Sequence, residues 1–138
     1  MLVIADLLGF PESDIALLRP WSQAIVKMYE YDRTPEDDAR ARVACDEFAA
    51  YVAELARERR TRPGDDLITY LAEVEAEGEH LTERELIATV VLLLNAGHEA
   101  TVNGFGNGFV ALMEQREEWD RVVADPWGTS ATAVDEML

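Results

Sequence analysis

Apolar residues along this chain recur every three to four positions, and no segment alternates apolar with polar residues for long. That spacing predicts helices throughout, so the expected fold class is all-α. Residues 2–8 read as a helix closed by Gly9 and Pro11. A second helix opens at Glu12 or Ser13, carries Ile15, Leu18, Ile25 and Met28 on one face, and ends near Tyr31. Thr34-Pro35 is a start signal, because threonine accepts from free first-turn amides and proline suits the first helical position. Glu36, Asp37 and Asp38 then meet the positive end of the helix dipole. Arg57, Arg59 and Arg60 meet the negative end before Pro63-Gly64. This helix is predicted to turn Val43, Ala44, Phe48, Tyr51, Val52 and Leu55 inward. Asp65 or Asp66 caps a short helix that buries Leu67, Ile68 and Leu71, and Gly78-Glu79-His80 makes a turn.

Thr82 and Glu85 have the spacing of a capping box. The long helix behind it, about 83–113, is expected to be the central element, with antiparallel helices around it. "REEWDRVVADP" gives a short helix closed by Pro126, and "ATAVDEML" begins a last one. No repeat, low-complexity stretch or linker breaks the pattern, so residues 1–138 are expected to form a single helical unit.

The stretch "LLLNAGHEATVNGFGNG", residues 92–108, sets Gly97, Gly104, Gly106 and Gly108 around Glu99. Each glycine inside a helix costs about 1 kcal/mol relative to alanine. Two readings account for them. Gly97, Thr101, Gly104 and Gly108 fall at i, i+4, i+7 and i+11, a stripe that lets another backbone come close. Alternatively, the helix passes a flat, bulky cofactor. Small residues at 96, 97 and 100 then leave a groove, Glu99 manages protons, and a π-bulge is a common companion. Spacing leaves both open. His98 has Leu94, Asn95, Thr101 and Val102 at its helical neighbour positions, so it reads as a surface or hydrogen-bonded histidine rather than a metal ligand. Glu99 alone reads as a solvated acid, and Cys45 as a small buried residue.

Composition narrows the function classes. With 49% hydrophobic residues a real core is available. The net charge of −16, from 28 acids against 12 bases, repels phosphate backbones, so no nucleic-acid partner is expected. The charge-free stretch around Leu86–Gly97 is shorter than the roughly 20 apolar residues a bilayer span needs. The opening "MLVIADLLGF" lacks a basic leader and meets Asp6 early. No membrane partner, no signal peptide and a cytoplasmic location are expected. Cys45 is the only cysteine, which allows no intramolecular disulfide and no cysteine metal cluster. No metal ligand is assigned.

"AGHEAT" (Ala96–Thr101), after "LTERELIATVVLLLN" and before "VNGFGNG", resembles the long central helix of bacterial cytochrome P450 enzymes. "VIADLLGFPESD" resembles the stretch before and into their F helix, "RERRTRPGDDLITYL" the G-to-H connection, and "ADPWGTSATAVDEML" the approach to the K helix. The order is the family's, and the resemblance covers essentially the whole chain. It implies a partial cytochrome P450 fold and, for the full enzyme, haem-thiolate monooxygenation. One oxygen atom from dioxygen enters a small organic substrate, with electrons from a ferredoxin- or flavodoxin-type redox partner. By the same resemblance, Ala96, Gly97 and Ala100 line the distal haem and oxygen groove, and Glu99 belongs to proton delivery. The position after that acid is usually threonine. Here it is Ala100, and Thr101 is turned by about 100° on the helix, so it is a candidate that cannot simply inherit the role. A substrate hydroxyl or an ordered water would then stand in.

The resemblance also marks what is missing. The family's Glu-x-x-Arg would start at Glu136, which Met137 and Leu138 follow. No glycine-flanked ligand cysteine occurs, and Cys45 in "VACDEF" does not match one. The chain is therefore expected to be an internal fragment, inactive alone and without stably bound haem. It is expected to self-associate through the long helix, which Ile87, Val90, Val91, Leu92, Leu93 and Leu94 make apolar on several faces. The alternative is a stand-alone helical interaction or oligomerisation module without enzyme ancestry, which the absent cysteine and acidic surface would suit. A third reading keeps the family but uses peroxide or rearrangement chemistry, with which Ala100 is compatible. Phe10, Trp21, Ile25, Met28 and Tyr29 lie where the family's pocket-covering helices would be and are expected to be mostly core.

Overall fold

Two capping boxes set the frame. The Thr34 hydroxyl accepts from the Asp37 amide while the Asp37 carboxylate accepts from the Thr34 amide, and Thr82 and Glu85 do the same. The computed structural model of the protein describes residues 1–76 and 81–137. The turn expected at Gly78-Glu79-His80 lies outside them. The chain forms two compact units, Met1–His98 and Glu99–Leu138.

The first unit holds α1 (Leu2–Leu8), a 3₁₀ turn at Glu12–Asp14, α2 (Ile15–Val26), a second 3₁₀ turn at Lys27–Tyr29, α3 (Pro35–Thr61), α4 (Leu67–Ala76) and α5 (Glu83–Asn95). Gly9 closes α1 at φ 90°, a left-handed conformation that glycine adopts without a side-chain penalty. Helix α3 packs on α2, α4 and α5. Leu8, Leu18, Phe48, Val52, Ile68, Leu86, Val90 and Leu94 are fully buried between them. Phe10, Trp21 and Tyr51 gather around Phe48 and one another, with ring centroids 5.6–6.0 Å apart. One polar knot ties three segments. Arg59 Nε donates to Asp66 Oδ2 at 2.7 Å and its Nη2 to the Gly9 carbonyl at 2.7 Å, while Asp66 Oδ1 accepts from the Thr69 amide. Of the two candidate caps for α4, Asp66 therefore does the capping.

The second unit holds α6 (Thr101–Glu114), α7 (Arg116–Ala124) and α8 (Pro126–Met137). Gly108 lets α8 close on α6, since a Cβ there would come within 2.6 Å of Met137 Cβ. Phe109 stacks on Phe105 and meets the edge of Trp119 at 5.4 Å.

Among the described residues no strand occurs, and the expected all-α class is observed. Several finer expectations are corrected. Val43 is 56% exposed: the buried face of α3 runs through Ala44, Phe48, Val52 and Leu55, and Val43 sits about 100° around from it. Met28 and Tyr29 are exposed because α2 tightens into a 3₁₀ turn at Lys27 and leaves the 3.6 period. Leu67 and Leu71 are half-buried, leaving Ile68 as the fully buried member of that trio. The last helix starts at Pro126, earlier than expected, because Asp125 accepts from the Gly128 amide at 3.0 Å and Pro126 takes the first helical position. The helical run Glu83–Glu114, 32 residues, is by length and composition able to cross a membrane. Glu99 interrupts its middle, and Leu86, Val90 and Leu94 are in the core of the first unit.

A π-turn as the candidate functional site

Helix α5 ends on Asn95, and Ala96–Ala100 form a π-turn before α6 begins. The ladder changes register there: the Ala96 amide is shared between the Leu92 and Leu93 carbonyls. A π-turn inserts one residue into the helix and re-aims the side chains around it. The sequence permits this because Ala96, Gly97 and Ala100 bring almost no side chain that must be rehoused.

Each expected site residue has a definite place. Ala96 and Ala100 are exposed. Gly97 is half-buried and faces α1, where a Cβ would stand 2.9 Å from Ile4 Cγ1. The glycine's empty volume is thus taken by a neighbouring helix, as the packing reading of the stripe requires. Gly108 likewise lies against Met137 of α8, whereas Gly104 meets nothing within 4 Å, so the stripe makes close contacts at Gly97 and Gly108 and none at Gly104. His98 is half-buried, with Nδ1 3.4 Å from Ser22 Oγ on α2. Glu99 is half-buried and Thr101 exposed. Three residues near the turn escaped the sequence reading: Ile4, Ser22 and Asn95. Only Asn95 left a signal, as the polar residue that ends the run "VVLLLN".

A further hollow lies elsewhere. A groove of about 800 Å³ in the second unit is lined by Gly108, Leu112, Val122, Thr132 and Glu136 among others, and none of residues 96–101 borders it.

Ala96 and Ala100 are small, uncharged and exposed, so neither side chain obstructs the approach of a planar apolar ring. Cys45 does not fit the proximal side of a haem. It is half-buried in the middle of α3, and burial, then the Asp46 charge, push its thiol above the ordinary range, which disfavours the thiolate.

The family model for cytochrome P450 matches residues 15–125. This chain belongs to the cytochrome P450 family. It is 37% identical over 137 residues to the polyketide biosynthesis cytochrome P450 PksS of Bacillus subtilis, covering 99% of this chain and 32% of that protein. It is 41% identical over 136 residues to cytochrome P450 107B1 of Saccharopolyspora erythraea, with the same coverage. Its fold superposes on P450BioI, solved in complex with hexadec-9Z-enoic acid ligated acyl carrier protein. The TM-score is 0.89 and the identity 31%, covering 99% of this chain and 35% of that one. The chain thus spans about a third of the length of these P450 relatives. The partial P450 fold expected from the motifs is observed, and the reading of a module without enzyme ancestry falls away.

Proposed function

We propose that this chain is the central-helix part of a haem-dependent monooxygenase that inserts one oxygen atom from dioxygen into a small organic substrate. The observation that carries this is the π-turn at Ala96–Ala100, with its two exposed alanines, in a chain of P450 sequence and fold. Haem, when bound, supplies the activation of dioxygen. The chain's own residues do the rest. Ala96 and Ala100 leave the hollow on the distal side. Gly97 serves it indirectly, by admitting Ile4 so that α1 braces the turn. Glu99 carries protons toward that hollow, with no threonine at position 100 to assist. A substrate hydroxyl or an ordered water takes the threonine's part, and Thr101, exposed one position on, does not.

PksS is named for polyketide biosynthesis and P450BioI was solved with an acyl chain, which favours an aliphatic substrate here. A ferredoxin- or flavodoxin-type protein supplies electrons, in the cytoplasm. The 138 residues alone do no chemistry and hold no haem stably, because their single thiol is disfavoured as thiolate and lies mid-helix.

The test is a reduced, CO-bound spectrum of this chain mixed with haem, beside the same measurement on the complete coding sequence. The complete protein is expected to show thiolate ligation and the isolated chain none. In the complete protein, Ala100→Thr is expected to change the fraction of reductant that ends in product. Thiolate ligation in the isolated chain, or unchanged coupling in Ala100→Thr, would contradict the respective part.

A further inference from the structure

Three polar groups beside the π-turn have no place in the chemistry above. Ser22 is fully buried in α2, and its Oγ lies 3.4 Å from Nδ1 of His98. Asn95, 8% exposed, donates from Nδ2 to the Val91 carbonyl at 2.7 Å. Its Oδ1 is buried and has no hydrogen-bond partner among the described residues. The other buried residues of α5, Leu86, Val90 and Leu94, are all apolar, so Asn95 is the polar exception among them. Leaving a buried amide oxygen without a donor is destabilising, a cost that leucine would not carry. Where neighbouring groups are polar, an internal water commonly fills that role. Asn95 and His98 stand at i and i+3, neighbours on a helix surface.

We propose that Asn95 Oδ1 holds one internal water, and that this water, Asn95 and the Ser22–His98 pair form a positioning device that fixes the π-turn against α2. Each part acts at the register change. Asn95 Nδ2 takes a lone pair of the Val91 carbonyl one turn before the ladder widens. His98 is inside the widened turn, and Ser22 holds it from a different helix. The device keeps the turn from relaxing into a regular α-helix, and so preserves the hollow assigned under the proposed function. Only that purpose rests on the monooxygenase reading. The device itself belongs to this chain and can be tested without haem.

The experiment is amide hydrogen exchange and nitrogen-15 NMR of the His98 ring on the 138-residue chain, with Ser22→Ala, Ser22→Thr and Asn95→Leu. Ser22→Ala is expected to speed exchange at the amides of residues 97–101 about tenfold, to leave α3 unchanged, and to shift the His98 ring nitrogens. Ser22→Thr, which keeps the hydroxyl, is expected to restore both. In the parent chain, a cross-relaxation signal from the Asn95 side-chain amide to a long-lived water is expected, and its absence overturns the water. Unchanged exchange and unchanged ring shifts in Ser22→Ala overturn the proposal. So does an Asn95→Leu chain that folds with the parent's exchange at 97–101. Should Asn95→Leu not fold, the serine pair decides alone. Failure here leaves the haem spectrum of the complete protein untouched, and failure there leaves these readouts untouched.

Discussion

A Cβ built on Gly97 would stand 2.9 Å from Ile4 Cγ1, whereas one built on Gly104 would meet nothing within 4 Å. The same substitution is therefore expected to act in opposite directions. Gly104→Ala gains the helix propensity difference, about 1 kcal/mol. Gly97→Ala gains at most as much and must push aside the branched end of Ile4, an overpacking cost of about 1–3 kcal/mol, so a net loss is expected. Urea midpoints of the two variants check this, and Ile4→Ala should rescue Gly97→Ala but not alter Gly104→Ala. A second residue-scale prediction concerns Tyr51, whose hydroxyl donates to Asp14 Oδ2. That bond, then the bond from Ser13, lowers the Asp14 carboxyl below its ordinary 3.8. Burial, then the same bond, raises the Tyr51 phenol above its ordinary 10.0. For Asp14 the folded value is depressed, so its contribution is present above 3.8 and lost as pH falls through the folded value. For Tyr51 the folded value is raised, so its contribution is present below 10.0 and lost as pH rises beyond it. Tyr51→Phe should cost about 1 kcal/mol at neutral pH and flatten the alkaline loss, as read by urea unfolding across pH. Neither glycine's role was legible in the sequence. Spacing put Gly97 and Gly104 on one stripe, and only the neighbour across the gap distinguishes them.

Helix ends were the most legible elements, because a cap is a local event. Thr34 with Asp37, and Thr82 with Glu85, form the reciprocal bonds their spacing implies. Thr82→Ala is expected to cost about 1 kcal/mol and to fray α5 from its first turn, seen as faster exchange at residues 83–86 with the exchange of α2 unchanged. Equal protection in both chains would mean that tertiary packing, not the cap, starts this helix. One signal has two meanings. Pro126 stops one helix and is also the first residue of the next, because Asp125 caps that one. Faces were less legible than ends. Val43 and Ala44 are adjacent apolar residues, and only the partners of α3 decide which of them is inside. At the site, the small residues and the acid were legible as either a packing stripe or a groove with a widened turn, and spacing left both open. The contacts of Ser22 and Ile4 with the turn were not legible, since contacts with the N-terminal helices leave no trace in local pattern.

At the scale of the molecule, the telling feature is an apolar stripe on α6. Val102, Phe105, Phe109 and Met113 fall at i, i+3, i+7 and i+11 and are 55%, 64%, 37% and 57% exposed. No charged residue lies within the stripe. Such a continuous face on a free chain seeks cover. In P450 relatives about three times as long, two-thirds of the length lies outside the region this chain matches and is available to cover it. In the 138-residue chain the available cover is a second copy. Two forces then compete. Burying one exposed phenylalanine is worth about 1.5–3 kcal/mol, and the stripe offers two. The net charge of −16 on each copy opposes approach, and salt screens that repulsion with a range of about 8 Å at physiological ionic strength. Association should therefore strengthen as salt is raised from about 0.05 M to 0.5 M, the reverse of an ion-paired interface. Light scattering should show mass rising with protein and salt concentration. Phe105→Glu should hold the chain monomeric under the same conditions, because it adds a charge where the two stripes would meet. A parent chain that stays monomeric at high salt means that the stripe is too narrow to hold two copies together. In that case the exposed phenylalanines are left to the rest of a P450 polypeptide.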